Sequence, residues 1–158
     1  MTLEQVNALA QAEFATELGA IFEHSPWVAE RAWPRRPFAT VEALHAAMSE
    51  AMDAATPEEQ LALLRAHPEL GSRAPMSALS TAEQSELIDG ELELDGMRRY
   101  REKFGFPFIF AVKGSSPTDI LFALQIRING TREEEFQQAL REVRRIAWFR
   151  LQDKFKES

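Results

Sequence analysis

The sequence predicts an all-α protein, and three observations favour this class. First, signals that start helices recur: a Ser or Thr stands three positions before an acidic residue or Gln at Thr2, Thr56, Ser116 and Thr131. Second, apolar residues near the carboxyl end follow helical spacing. Third, the one strand-like run, Phe106 to Val112, has no similar run to pair with, and a single strand cannot form a sheet. We expect about seven or eight helices in one compact domain spanning residues 1–158.

These signals also place the individual elements. A helix is predicted from about Val41 to Ala54, and another begins at Pro57, since proline is tolerated in a first turn. The last helix opens at Thr131, and its apolar residues lie three or four apart. They are Phe136, Leu140, Val143, Ala147 and Leu151. We expect this stripe to be buried, and we interpret residues 106–112 as buried extended chain or helix.

Composition excludes several classes of protein. There is no cysteine, so disulfides, thiolate zinc sites and cysteine nucleophiles are excluded. The histidines, His24, His45 and His67, show no spacing of four residues, so no metal site is predicted. A formal net charge of -7 argues against nucleic-acid binding, which depends on cationic neutralisation of phosphates. No apolar run is long enough for a bilayer and no secretory signal pattern is present, so we expect a cytoplasmic protein without a membrane partner.

The stretch "RAHPELG" places His67 directly before Pro68, where a helical pattern ends. His67 shares a helical face with Leu63 and Leu64, so its ring is expected to point inward, and Pro68 disfavours helical backbone at His67. One interpretation is a C-terminal cap stabilised by the helix dipole. The other is a half-buried proton donor, because the same dipole favours imidazolium.

Arg127 lies on the helical face of Ile120 and Leu124, where a cation needs an anion or a polar ligand. Alternatively, its head reaches water past the apolar stripe. The neighbouring charged clusters are expected on solvated faces without a catalytic role. They comprise Arg98, Arg99, Arg101, Lys103, Arg141, Arg144 and Arg145, with Glu102, Glu134, Glu135 and Glu142 near them on the same faces.

Several sequence words, in order, resemble one known family. They are "FEHSPWVAERAWPRRPF" at 22–38, "LALLRAHPELGSRA" at 61–74, "STAEQ" at 80–84, "YREKFGFPFIFAVKG" at 100–114 and "LQIRINGTREEEFQQALREVRRIAWFRL" at 124–151. The family is that of the 2-oxo-4-hydroxy-4-carboxy-5-ureidoimidazoline (OHCU) decarboxylases of urate breakdown. The resemblance covers nearly the whole chain. It implies an all-helical fold, commonly a homodimer, and decarboxylation to (S)-allantoin without a cofactor.

The resemblance also implies roles for individual residues. His67 corresponds to the proposed proton donor, Glu83 to a catalytic glutamate and Arg127 to the pocket arginine. The implied substrate-binding residues are Pro68, Ser80 and Gln84, with the main chain of Phe108, Ile109, Phe110, Ala111 and Val112. Without the resemblance, Ser80 and Glu83 would be interpreted as a capping box.

One stretch departs from the family pattern. Members usually follow the Glu-Gln pair with an Ala-Gly-Leu turn and a longer connection, whereas "SELIDGELELDGMRR" is shorter here. Two alternatives therefore stay open. Beside OHCU decarboxylation, these are a paralogue that acts on another ureide or heterocyclic acid, and a helical binding module without catalytic activity.

Overall fold

The computed structural model describes residues 1–68 and 94–156. Across these two ranges the protein is built from α-helices, with no residue in a β-strand. The helices are α1 (Leu3–Asn7), α2 (Gln11–Leu18), α3 (Trp27–Ala32), α4 (Val41–Asp53), α5 (Pro57–Ala66), α6 (Leu94–Phe104), α7 (Pro117–Arg127) and α8 (Arg132–Lys154). A single 3-10 turn, Trp33–Arg35, follows α3. The all-α prediction is confirmed, and its helix number agrees with the described residues.

The predicted helix starts are confirmed by reciprocal hydrogen bonds. Thr2 opens α1 with Gln5, and Ser116 opens α7 with Asp119. Thr56 and Thr131 each accept the N–H of a glutamate three residues later, and that glutamate accepts the N–H of the threonine in return. Each pair satisfies two donors that a helix start leaves unbonded.

The chain divides into two compact units. The first comprises Met1–Leu63 and Ile146–Ser158, and the second comprises Leu64–Arg145. The buried apolar side chains of the first unit include Phe14, Leu18, Phe22, Phe38, Leu44, Met48, Met52 and Leu63. Those of the second unit, among the described residues, include Tyr100, Phe104, Phe106 and Phe108. The expectation of one domain over residues 1–158 stays a prediction.

Within the first unit, a buried ion pair joins Arg150 of α8 to Glu23. The guanidinium Nη2 lies 3.0 Å from Glu23 Oε1, and the two side chains are 2% and 0% exposed. Arg150 Nη1 also donates to the main-chain oxygens of Ala20 and Ile21. Buried charges require such partners because the loss of hydration is costly.

The apolar stripe of α8 lies largely where the spacing predicted it. Leu140, Val143, Ala147 and Leu151 are buried, whereas Phe136 is half-buried. None of the described helices combines the length and the apolar character that crossing a membrane requires.

The buried and the exposed ion pairs of the first unit should differ in their effect on stability. We expect Arg150→Met to lower the free energy of unfolding by about 3–5 kcal/mol, because it removes the buried guanidinium that is paired with the buried Glu23 carboxylate. The control, Lys154→Met, removes a partly exposed pair with Glu17 and should cost less than about 1 kcal/mol. Urea unfolding measures both values, and equal losses would contradict the expectation.

Candidate functional site

His67 lies directly after the end of α5, as the sequence predicts. Its main-chain N–H donates to Leu64 O at 3.2 Å, and the residue is only 7% exposed. Leu63 and Leu64 on the same face are fully buried, so the inward direction of this face is confirmed. Pro68 follows and is half-buried. The structure therefore fixes a titratable ring inside the protein at a helix end.

A hydrogen bond ties this corner to the end of α6. Arg65 Nε, in the last turn of α5, donates to the main-chain oxygen of Gly105 at 2.9 Å. Gly105 has a φ of 84°, a left-handed conformation that glycine adopts without strain. The chain thus turns sharply after Phe104 and leads into residues 106–112. The histidine corner and that segment are connected through two residues of the second unit.

The segment 106–112 is buried except for the half-buried Phe110, and it contains no regular secondary structure, so the structure supports the interpretation as extended chain. Its aromatic rings pack against α6. The centroid of Tyr100 lies 5.2 Å from that of Phe108 in an edge-on arrangement and 4.6 Å from that of Phe104. Phe108 in turn stacks on Phe110 at 6.0 Å. These contacts give the segment one apolar wall.

Arg127 is buried among polar partners rather than exposed to water. Its Nε donates to Glu135 Oε1 at 2.8 Å, and the two side chains are 10% and 7% exposed. Nη1 donates to Ile109 O at 2.8 Å, and Nη2 donates to Tyr100 Oη at 3.3 Å. The guanidinium carbon also lies 4.5 Å from the ring centroid of Phe108. The alternative in which the arginine head reaches water does not describe this arrangement.

A second carboxylate of α8 reaches the same segment. Glu142 Oε1 accepts the main-chain N–H of Ala111 at 3.0 Å, and Oε2 accepts from Gln138 and Arg145. Glu142 is 3% exposed and Glu135 is 5% exposed. The expectation that these two glutamates lie on a solvated face is wrong.

The spacing of residues on α8 indicates that Glu135 and Glu142 are buried, although their charge alone favours a solvated face. Glu135, Ala139, Glu142 and Ile146 recur at spacings of four, three and four, and all four residues are buried. Acidic residues that follow such a stripe share its inward direction. The sequence does not single out Tyr100 as a site residue, because its hydroxyl is bonded to Glu135 and Arg127, which belong to two other helices.

Three of the implied site residues, Ser80, Glu83 and Gln84, lie outside the described residues. For these three, the sequence expectations stay predictions. Of the other implied site residues, Arg127 and Ile109 are joined by a hydrogen bond. The remaining side-chain hydrogen bonds of Arg127 go to Tyr100 and Glu135, and none goes to His67. Within residues 1–68 and 94–156 no group of acidic and histidine side chains is arranged to hold a metal ion.

Burial is the largest influence on the Tyr100 hydroxyl and raises its pKa above the ordinary value. The cation of Arg127 acts in the opposite direction, and the hydrogen bond that Tyr100 donates to Glu135 at 2.6 Å raises the pKa further. Tyr100 is therefore a neutral donor between a carboxylate and a guanidinium.

The second unit thus combines a buried histidine at a helix end with a polar cluster around an extended aromatic segment. These features define an all-helical protein with a buried polar cluster beside an extended aromatic segment. The model of the family described as OHCU decarboxylase matches residues 7–152. The chain belongs to the OHCU decarboxylase family.

Individual relatives agree with this membership. The chain is 45% identical to the 2-oxo-4-hydroxy-4-carboxy-5-ureidoimidazoline decarboxylase of Haloferax volcanii, over 98% of this chain and 96% of the relative. It is 39% identical to a uric acid degradation bifunctional protein of a Bacillus species, over 99% of this chain and 33% of that protein. A crystal structure of (S)-allantoin synthase matches with a TM-score of 0.77 at 36% identity, over 98% of this chain and 54% of that one.

Tyr100 is the only tyrosine, so its titration can be followed directly. We expect it to stay neutral in the folded protein well above pH of about 10, the ordinary tyrosine pKa. The folded state then holds a proton that the unfolded state loses, so stability is intact below about pH 10 and falls as the pH rises further. Ultraviolet absorbance of tyrosinate, recorded beside circular dichroism, measures both. Tyrosinate that forms near pH 10 in folded protein would contradict the expectation.

Proposed function

We propose that this protein decarboxylates OHCU to (S)-allantoin in urate degradation. It is a carboxy-lyase by family, and relatives named for this substrate and for uric acid degradation match nearly its whole length. The structural similarity to (S)-allantoin synthase, a protein named for this product, supports the same reaction.

The observation that carries the proposal is the placement of His67. The ring is buried beyond the last turn of α5, and the Arg65–Gly105 hydrogen bond connects this turn to the segment that the resemblance assigns to substrate binding. A buried histidine that follows a helix turn bonded to the start of a binding segment is suited to deliver a proton where water does not compete.

The chemistry follows from the substrate. Its reacting carbon carries a hydroxyl and a carboxylate beside a C=N bond, so when the bond to CO₂ breaks, the conjugated ring takes up the electron pair. The ring itself is the electron sink, and no cofactor has to fill that role. The electron pair moves into the C=N bond, whose nitrogen takes up a proton, and the hydroxyl-bearing carbon is left as one end of an enol. The enol hydroxyl then loses its proton as the carbonyl forms, and a proton adds to one face of the neighbouring carbon, the one that belonged to the C=N bond; we assign the delivery of this proton to His67.

The remaining roles follow the resemblance. Glu83 would anchor the ureido group and tune His67, with Ser80, Gln84 and Pro68 beside the heterocycle. Arg127 would bind a ring oxygen through N–H donors that its three protein hydrogen bonds do not use.

Replacing His67 tests the assignment. We expect His67→Asn to reduce kcat on freshly generated OHCU by about 10²- to 10⁴-fold, the usual effect of losing a general acid. The appearance of optically active product, followed by circular dichroism, gives the rate above the spontaneous decay. His24→Asn is the matched control, since His24 is exposed and its φ of 47° lies in the region that asparagine tolerates.

A folded His67→Asn protein with full turnover would contradict the assignment. A wild-type protein that does not accelerate OHCU decay would favour the alternative of a paralogue with a different substrate. A wild-type protein that neither accelerates the decay nor gains thermal stability from allantoin would favour the binding module without catalytic activity.

We also propose a homodimer, as the resemblance implies, and a cytoplasmic location, as the sequence analysis leads us to expect. Two large apolar side chains one turn apart on α7, Phe122 and Ile126, are 64% and 58% exposed, and a second copy of the chain would cover them. We expect light scattering to give twice the chain mass for the wild type and the single mass for Phe122→Asp. Phe122→Leu is the control that keeps the surface apolar, and a monomeric wild type would contradict this proposal.

A further inference from the structure

Two side chains hold the main chain of the segment 106–112 at alternate residues. Arg127 Nη1 donates to Ile109 O at 2.8 Å, and Ala111 N–H donates to Glu142 Oε1 at 3.0 Å. Glu135 fixes Arg127 through the 2.8 Å contact to Nε. Glu135 and Glu142 are seven residues apart on α8, so they lie on one face two turns apart.

The stacking of two aromatic rings indicates how the segment runs. The rings of Phe108 and Phe110 are inclined by 15° with centroids 6.0 Å apart. This is the relation expected of residues i and i+2 in an extended chain, because successive side chains alternate between its faces. Main-chain polar groups of successive residues likewise point to opposite edges of such a chain. Ile109 and Ala111 therefore share one edge, and Phe108 and Phe110 share the other.

The edge that Phe108 and Phe110 share differs from the edge of Ile109 and Ala111 in its hydrogen bonding. Within the part of the chain that the structure describes, the main-chain N–H and C=O groups of Phe108 and Phe110 make no hydrogen bond, although Phe108 is only 1% exposed. Buried main-chain groups nearly always have a partner. An edge that offers main-chain N–H donors and C=O acceptors is complementary to a heterocycle that carries both acceptors and donors.

We propose that Glu142 and Glu135 are positioning residues that turn the edge of Phe108 and Phe110 toward the substrate. This inference rests on the proposed function and makes it more specific. Of the five residues that the resemblance assigns to the ring, Phe108 and Phe110 offer it their main-chain groups. Ile109 and Ala111 are instead held by the protein, one through Arg127 and one by Glu142.

Variants of Glu142 test the positioning role. We expect Glu142→Ala to raise the KM for OHCU about tenfold with a much smaller change in kcat, because the binding edge is used in both the ground state and the transition state. Glu142→Gln should recover most of this loss, since the amide oxygen still accepts the N–H of Ala111. Glu133→Ala, a change at an exposed residue of the same helix, should leave KM unaltered.

Amide exchange in the wild-type protein tests the edge without any substitution. We expect the Ala111 amide to exchange slowly, and the amide resonances of Phe108 and Phe110 to shift more than those of Ile109 and Ala111 when (S)-allantoin is added. A rapidly exchanging Ala111 amide, or the reverse order of shifts, would overturn the inference, including in the case where Glu142→Ala does not fold.

The outcomes separate the two proposals. A wild-type protein that does not turn over OHCU contradicts the proposed function, while the exchange rate of Ala111 still decides whether Glu142 holds the segment. An active wild type whose KM is the same in Glu142→Ala contradicts the positioning role alone.

Discussion

The candidate site depends on one buried charge pair, that of Arg127 and Glu135. Both side chains are nearly excluded from water, and neither charge is tolerable there without the other. The same Glu135 oxygen accepts from the hydroxyl of Tyr100, while the guanidinium also binds the carbonyl of Ile109. Side chains from α6 and α7 therefore meet at one carboxylate of α8, and Arg127 extends this connection to the segment 106–112. The positions of the three helices and the path of the segment are linked by a single electrostatic requirement.

The segment 106–112 is useful to the site because it is buried without regular structure. A helix or a sheet would use its main-chain groups internally, whereas this chain keeps some of them for other partners. Two carboxylates of α8 hold one edge, directly through Glu142 and indirectly through Arg127. The rings of Phe108 and Phe110 supply apolar surface beside the other edge. A polar edge beside apolar surface is the usual composition of a site for a flat heterocycle.

The position of His67 is determined by more local features of the chain. The ring of His67 comes at the end of α5 because the apolar face of that helix continues to its last turn, and Pro68 disfavours helical backbone at His67, where the helix has ended. The hydrogen bond from Arg65 to Gly105 then connects this corner to the start of the segment. A left-handed backbone at Gly105 makes the close turn possible.

The sequence by itself determined the features that depend on near neighbours in the chain. The caps at Thr2, Thr56, Ser116 and Thr131, the inward face of His67 and the stripe of α8 all follow from spacings of three or four residues, and the order of motifs identified the family. Only the tertiary structure decided which partners meet. Arg127 could be recognised as a cation on an apolar face, but its bond to Ile109 spans 18 residues and the bond of Glu142 to Ala111 spans 31. Helical periodicity states which way a side chain points, whereas the packing of whole helices sets what it encounters.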